Sequence, residues 1–494
     1  MPDSSALTRR DFARGLAAGA LALGAGAAGA RAGTAAPAGA PLRRGIHRII
    51  RNPKALESPP DAPAGETWRY MLSYPFQVAP NLAGLYCNLK MCGGPGQDFE
   101  GGSDIILFDQ ASPFSARSTH LVSRNYVAPN PNNGGRPAIM MKYPGLLGFV
   151  PLGARRPDGS PHPHAGTGFA LSTAAAWPLD ASESVLYTAP DRIGYAAYGD
   201  ARRYRFFEVY QLRYDGAHFT ISAPVKLADT DFFPGFRVSS AGMACAIADG
   251  DDLLTGLTVH RLGAATHGAG LTRWRRVDGE WRPLGYEPVT PEDSSMEPSI
   301  IRDLDGSLLM HARAPRAMGP PIRLWRQASA GAPWEPRLNL NGMIPSVPVT
   351  LNRAVDGTPY LVANLYQPQF FLPPTLHSDG GVSRLEPVGW RGERSTLCLW
   401  PLNEGRNGFD AQFIVRDPRT EFGLPPHGTV WAADHGTGGI VRLADGKWRA
   451  LVGYRMLEWK ENTHFILPPS PQTGSYLDEV VSFGDPMPLW NFGP

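Results

Sequence analysis

Cysteine is scarce in this chain, with 4 among 494 residues. No Cys-x-x-Cys pair occurs, which excludes a thiolate zinc site of the usual spacing. A surplus of one charge is also missing. The 47 Lys and Arg stand against 45 Asp and Glu, a net charge of +2, so no broad basic surface for nucleic acid is expected. Beyond the N-terminal leader there is no run of about 18 uncharged apolar residues, and so no membrane span to expect. No later stretch keeps a 3.6-residue apolar period for three turns without Gly or Pro, which argues against long helices. Phosphate loops, dinucleotide fingerprints and Gly-x-Ser-x-Gly elbows are absent, and the nucleotide-binding and serine-hydrolase readings go with them.

What is plentiful points elsewhere. The hydrophobic share of 43% supports a sizeable core and excludes a mostly disordered chain. The 56 Gly and 49 Pro are spread without period, as many turns between short strands would require. The first forty residues read as an address. Arg9-Arg10 precedes an Ala/Gly-rich apolar stretch from Gly15 to Ala30, the order of a twin-arginine export signal. Ala30-Arg31-Ala32 or Ala38-Gly39-Ala40 offers the cleavage site. A periplasmic or secreted protein is expected, with residues 1–40 as signal, 41–66 as an N-terminal arm and 67–494 as one domain. In an oxidising compartment Cys87 and Cys92 are close enough in sequence to bridge.

From Trp68 onward, short β-branched and aromatic runs are bounded by Gly, Pro, Asn or Asp. Examples are Asp104–Phe108, Phe206–Leu212 and Tyr360–Tyr366. Asp-Gly pairs fall between such runs at 158, 215, 249, 278, 305, 356 and 445, and supply the positive φ angles of tight hairpins. Glu297–Arg313 holds two strands around Asp305-Gly306, and Ile344–Asn364 holds two around Asp356-Gly357. Their offset of about fifty residues matches a four-stranded propeller blade. The expected fold is all-β: a single β-propeller of six or seven blades, seven slightly favoured by length, and a monomer. A pair of β-sandwich domains is the alternative.

The segment Glu297-Pro298-Ser299, then Asp305-Gly306-Ser307-Leu308-Leu309 and Ala312-Arg313, resembles a repeat of the sialidase-like (Asp-box-related) propeller superfamily. The Asp-Gly-x-Trp turns at Asp278–Trp281 and Asp445–Trp448 are similar to degenerate versions of that repeat. The Phe-Arg-Ile-Pro motif and an intact Ser-x-Asp-x-Gly-x-x-Trp box are missing. The resemblance therefore implies propeller polysaccharide lyases, such as those cleaving rhamnosyl–glucuronate linkages, or exo-acting arabinanases, rather than a sialic-acid hydrolase.

In a propeller, side chains at the starts of blade strands converge on one mouth. Reading back from such strands nominates His162 and His164, Arg237, Glu297, Asn407 with Asp410, and Asp434-His435. His162 and His164 flank a proline, which extends the backbone and sends both rings to one side, as a general base or a metal pair requires. Arg237 and Arg313 carry forks that match a carboxylate. Glu297 suits a base, an arginine orienter or the activator of a tyrosine, with Tyr195, Tyr198 and Tyr366 as candidate hydroxyls. Asn407, Asp410 and His435 complete the substrate-binding set. Asp98, Glu100 and Asp104 form a loose oxygen cluster that suits a divalent cation such as calcium. Together these residues point to an acidic oligo- or polysaccharide as partner. They suit a uronate-cleaving polysaccharide lyase first, an exo-glycoside hydrolase second, and a non-catalytic glycan-binding propeller third.

Overall fold

The computed structural model describes residues 67–92, 101–111, 114–122, 126–176, 201–313 (save 203 and 294), 321–341, 347–365, 394, 396–409, 412–418, 422, 429–460 and 472–480. Twenty-six strands arrange these residues into six antiparallel sheets that follow one another along the chain. Blade 1 is β1 (Thr67–Ala79), β2 (Leu82–Cys92), β3 (Ser103–Ala111) and β4 (Phe114–Val122). Blade 2 is β5 (Tyr126–Asn130), β6 (Arg136–Val150), β7 (Thr167–Ala176) and β8 (Arg205–Tyr214), with β9 (Phe219–Ile221) and β10 (Val225–Leu227) on β8. Blade 3 is β11 (Phe236–Ala241), β12 (Ile247–Asp249), β13 (Asp252–Arg261), β14 (Gly268–Val277) and β15 (Glu280–Pro288). Blade 4 is β16 (Met296–Arg302), β17 (Leu308–Arg313), β18 (Pro321–Gln327) and β19 (Trp334–Asn341). Blade 5 is β20 (Thr350–Arg353), β21 (Pro359–Asn364), β22 (Leu397–Pro401) and β23 (Phe413–Arg416). Blade 6 is β24 (Thr429–Arg442), β25 (Trp448–Lys460) and β26 (Gly474–Val480).

The inner strands β1, β6, β11, β16, β20 and β24 each pack on the next, and β24 packs on β1. The sheets thus close into a six-bladed β-propeller within one compact unit, Arg44–Pro494. The slight preference for seven blades is corrected to six. Residues that a seventh blade would have used lie instead in the β5–β6 hairpin and in the connections 177–204 and 365–396. Apolar side chains alternate along the strands and fill the seams between blades. Tyr74, Phe76, Phe149 and Tyr210 pack between blades 1 and 2. Phe169 stacks on Trp274 at 4.0 Å between blades 2 and 3. Trp68 and Leu85 meet Val441 and Leu451 where blade 6 returns to blade 1. No described helix is long and apolar enough to cross a membrane.

All inner strands run the same way, so the propeller has an upper face where they begin and a lower face where they end. Among the described residues the Asp-Gly turns lie at the lower face. Asp305-Gly306 joins β16 to β17, Asp356-Gly357 joins β20 to β21, and Asp445-Gly446 joins β24 to β25. A recurring arginine ties four of them: Arg155 donates to Gly159 O, Arg276 to Gly279 O, Arg302 to Gly306 O and Arg442 to Gly446 O, at 2.9 to 3.1 Å. At Asp278-Gly279 both φ angles are positive, 51° and 85°, as the tightest hairpin turn demands. The connections 177–204, 314–320 and 365–396 join strands at the upper face.

Cys87 is a free, buried thiol on the same strand as Cys92. Five residues of extended backbone separate their Cα atoms by about 16 Å, far beyond disulfide reach. The Cys87–Cys92 bridge that their sequence spacing allows does not form. Residues 1–66, with the export signal and arm, lie outside the described residues.

Ring closure includes a side chain acting as backbone. The Gln77 amide accepts from Arg442 N at 2.6 Å and donates to Arg442 O at 3.1 Å, pairing blade 1 with blade 6 as a neighbouring strand would. Replacing Gln77 by Leu should leave two buried backbone groups of β24 unpaired. The expected cost is about 1–3 kcal/mol, seen as a lower urea midpoint in equilibrium unfolding.

Candidate active site

Among the described residues, every inner strand except β20 carries a bulge, at Tyr70/Ser73, Pro144/Leu146, Val238/Ser240, Met296/Ser299 and Asp434/Thr437. A bulge turns a side chain that would follow the pleat toward the axis instead. Two of the bulges hold non-glycine residues in the left-handed region, Glu297 at φ 49° and His435 at φ 52°. The other such residues, Asn81, Asp278 and Arg406, lie between strands. Left-handed backbone costs energy for an L-residue and collects where function requires it.

Neighbouring blades hold both bulges in place. The Glu297 N–H donates to Thr258 Oγ1 at 2.9 Å, and Pro298 O accepts from Met243 N at 3.1 Å, both from blade 3. Gly436 O accepts from Thr350 Oγ1 of blade 5 at 2.5 Å. The Thr437 hydroxyl donates to Ser73 O of blade 1. A Cβ on Gly436 would run into Val362, so only glycine lets β24 come this close to β21.

Six side chains from blades 4, 5 and 6 meet here. Arg313, the last residue of β17, donates to Glu297 Oε2 at 2.8 Å. Asp434, wholly buried, takes Arg455 Nε on Oδ1 at 2.6 Å and Arg394 Nη1 on Oδ2 at 2.7 Å. Arg455 lies directly across the ladder from Asp434, and Arg394 stands just before β22. His435 Nδ1 is 3.0 Å from Asp434 Oδ1 but off the hydrogen-bond line.

Burial works to raise the Asp434 carboxyl, but Arg455, His435 and Arg394 hold it well below the usual range. Glu297 resists burial in the same way, lowered by Arg313 and, from further off, by His435 and Arg394. Burial, seconded by Arg455, brings His435 down to about 4 against the pull of Asp434, so its imidazole is neutral near pH 7. Burial also lowers the Arg394 guanidinium, and Arg313 and Arg455 push it further down, against Asp434. Guanidiniums that repel one another in a low dielectric stand to gain from an anion placed between them. The arrangement can therefore grip a carboxylate and offer a neutral base beside it.

Of the sequence-derived candidates, the structure gathers Glu297, Arg313 and His435. It does not bring His162, His164 or Asn407 to them. His162 Nε2 lies 3.0 Å from Gly250 O, and the adjoining Asp249 pairs with Arg302 at 2.5 Å at the far end of β16 from Glu297. The histidines, with rings 5.7 Å apart, thus sit on the lower face, about 16 Å of strand away from Glu297. The reason is direction. They precede β7, the second strand of its blade, and Asn407 precedes β23, the fourth, and both of these run opposite to the inner strands. Asn407 bonds Asn403 at 2.9 Å on that lower side. Arg237 does begin an inner strand and shares the upper face, but its side chain is 58% exposed and stands 3.4 Å from Asp229.

Tyr195, Tyr198, Tyr366 and Asp410 lie outside the described residues, as do Asp98 and Glu100 of the expected calcium cluster. Asp104 accepts Tyr70 OH at 2.7 Å inside blade 1, and no group of three potential ligands is found among the described residues. Asp434-His435 forms part of a bulged strand, not the turn that its glycines suggest. Arg394 and Arg455 escaped sequence reasoning. Arg455 left a signal, a lone charge in the apolar run Ala450–Leu457. Trp325, Trp400 and Trp431 are buried.

No family model matches the chain, and no curated protein does. Among solved structures it is similar to a protein of unknown function from Dyadobacter fermentans, at 12% identity over 90% of this chain and 100% of that one, TM-score 0.49. It is also similar to a variant of NanB sialidase from Streptococcus pneumoniae, at 9% identity over 89% and 71%, TM-score 0.48. A third is the Penicillium chrysogenum alpha-L-arabinanase, at 11% identity over 89% and 99%, TM-score 0.41.

The lowered imidazole has a consequence for stability. Between pH 6.5 and about 4 the unfolded chain binds a proton at His435 that the folded chain does not. Stability therefore falls as pH falls through that window. His435→Gln should flatten this part of the stability–pH curve in urea unfolding. A residual slope of the same sign should remain from buried His311, which burial lowers to about 3.

Proposed function

We propose that this chain is a carbohydrate-active enzyme that binds a carboxylate-bearing sugar on the upper face of the propeller and cleaves it by β-elimination. The observation that carries the reading is the meeting of Arg313, Arg394 and Arg455 with a neutral imidazole, His435, in one buried cluster. The sialidase-type segment Glu297–Arg313 lies in the same cluster and points to a glycan as the carrier of that carboxylate.

In the proposed reaction the guanidiniums take the uronate carboxylate, which weakens the adjacent C–H bond by stabilising the enolate-like charge that develops. With Nδ1 turned to Asp434, the His435 Nε2 lone pair removes that proton. The electron pair forms the new C=C bond as the glycosidic C–O bond breaks, and the proton passes from His435 to the leaving oxygen. An arriving carboxylate also offsets the guanidinium field that holds His435 low, so binding raises the strength of the base.

Hydrolysis is the second reading, favoured by the presence of two carboxylates, Glu297 and Asp434. A paired-carboxyl hydrolase needs one carboxyl that keeps its proton. Both carboxyls here are held ionised, and both oxygens of Asp434 are occupied by arginines. This counts against the paired-carboxyl form of hydrolysis, and leaves the form with a tyrosine nucleophile activated by Glu297 as the alternative to elimination.

On glucuronate-containing gums the enzyme should release an unsaturated product that absorbs at short ultraviolet wavelength. His435→Gln should lower kcat by about 10²–10⁴-fold while binding persists. Reducing ends without ultraviolet absorbance would select hydrolysis, and an unchanged glycan that still binds would select a carbohydrate-binding propeller. The Arg9-Arg10 leader supports a site of action outside the cytoplasm. Changing both residues to Lys should hold the full-length precursor in the cytoplasmic fraction of a host with twin-arginine export.

A further inference from the structure

We infer that Asn364 and Thr350 are positioning residues that hold the Asp434–His435 bulge from both sides. Both come from blade 5, while the bulge belongs to blade 6. The two sheets share no ladder, and side chains supply hydrogen bonds that fix one against the other.

Asn364 ends β21 and is wholly buried. Its Nδ2 donates to Ala433 O at 2.7 Å and to Thr396 O at 3.1 Å. Both partners are carbonyls, which settles which way round the amide lies. Ala433 immediately precedes Asp434, and Thr396 stands two residues after Arg394. One amide therefore ties together the two backbone segments that carry the Arg394–Asp434 ion pair. On the other side of the bulge, Thr350 Oγ1 donates to Gly436 O at 2.5 Å and accepts from Asn352 Nδ2 at 2.9 Å, so its hydroxyl is aimed by a third buried side chain. The carbonyls before and after the strained pair are thus each held by blade 5. A bulge with a non-glycine residue at φ 52° relaxes unless its surroundings over-determine it, and these two bonds do so.

What they protect is the environment of His435. The charged groups that face it are Asp434 on its own strand, Arg455 on β25, Arg394 ahead of β22 and Glu297 from blade 4. Loosening the bulge admits water and moves the ring away from those groups.

The test reads His435 by NMR in the full-length folded protein without substrate, its ring signal assigned by loss in His435→Gln. In the wild type the ring should stay neutral down to about pH 4. In Thr350→Val, a change of nearly constant volume, and in Asn364→Ala, the midpoint should move up by at least one pH unit toward 6.5. Leu399→Ala, which removes packing from the same seam and no side-chain hydrogen bond, should lower the unfolding midpoint without moving the titration. A His435 titration unchanged in Thr350→Val and in whichever Asn364 variant folds, Ala or Ser, would overturn the inference, as would an equal shift in Leu399→Ala. The importance of the bracket for turnover rests on the proposed elimination, where both variants should lose kcat more than they raise KM. The NMR arm needs no substrate, so it separates failure of the bracket from failure of the proposed reaction.

Discussion

Asp434 sits out of water with a guanidinium on each carboxylate oxygen, and most of what is unusual on the upper face follows from that arrangement. A lone carboxylate could not be buried there. Two arginines make it tolerable. Burial keeps the proton off the neighbouring imidazole, and the arginine field adds to that effect. Glu297 meets the same field from the blade 4 side. Removing the central carboxylate would leave two buried cations facing each other, so the ion pairs, the neutral histidine and the bulge form one coupled unit.

The propeller makes such a unit affordable by treating its two faces differently. Hairpins at the lower face are closed by Asp-Gly turns, and in four of them an arginine just ahead of the turn holds the Gly carbonyl. That face combines these short-range bonds with ion pairs between blades, such as Arg302 with Asp249 and Arg406 with Asp303. At the upper face the inner strands bulge, and the chain makes its longer connections. Regular seams of aromatic and aliphatic side chains between blades carry the stability that lets a few residues there adopt unfavourable backbone.

This division explains how much could be read from sequence. Strand alternation and the repeated Asp-Gly turns announced an all-β propeller, because both are local properties of hairpins. Glu297, Arg313 and His435 were legible because the first two sit in a repeat with a recognisable spacing and the third beside glycines that permit close approach. Strand direction was not legible from composition. His162 and His164 precede a strand as Glu297 does, yet theirs runs the other way and delivers them to the lower face. Their neighbour Asp158-Gly159 carried the information, since the Asp-Gly turns among the described residues share that face. Arg394 and Arg455 could not be paired with Asp434 by any local pattern. Their partnership depends on which blades adjoin and on the register of β24 with β25.

The choice of chemistry turns on where protons reside. Ordinary two-carboxyl glycoside cleavage depends on environments that push the two pKa values apart, so that one group keeps its proton. Here the arginines push both carboxyls the same way, downward. The group driven in the opposite sense, toward the proton-free state of a base, is His435. Under the proposed elimination that state is not fixed. A substrate carboxylate entering among the guanidiniums cancels part of the field that keeps the imidazole weak, so the base gains strength only when the anion it must act beside is present. The same arginines would then serve recognition and the timing of proton removal, and a neutral sugar, bringing no charge, would leave the base as weak as it is in the empty propeller.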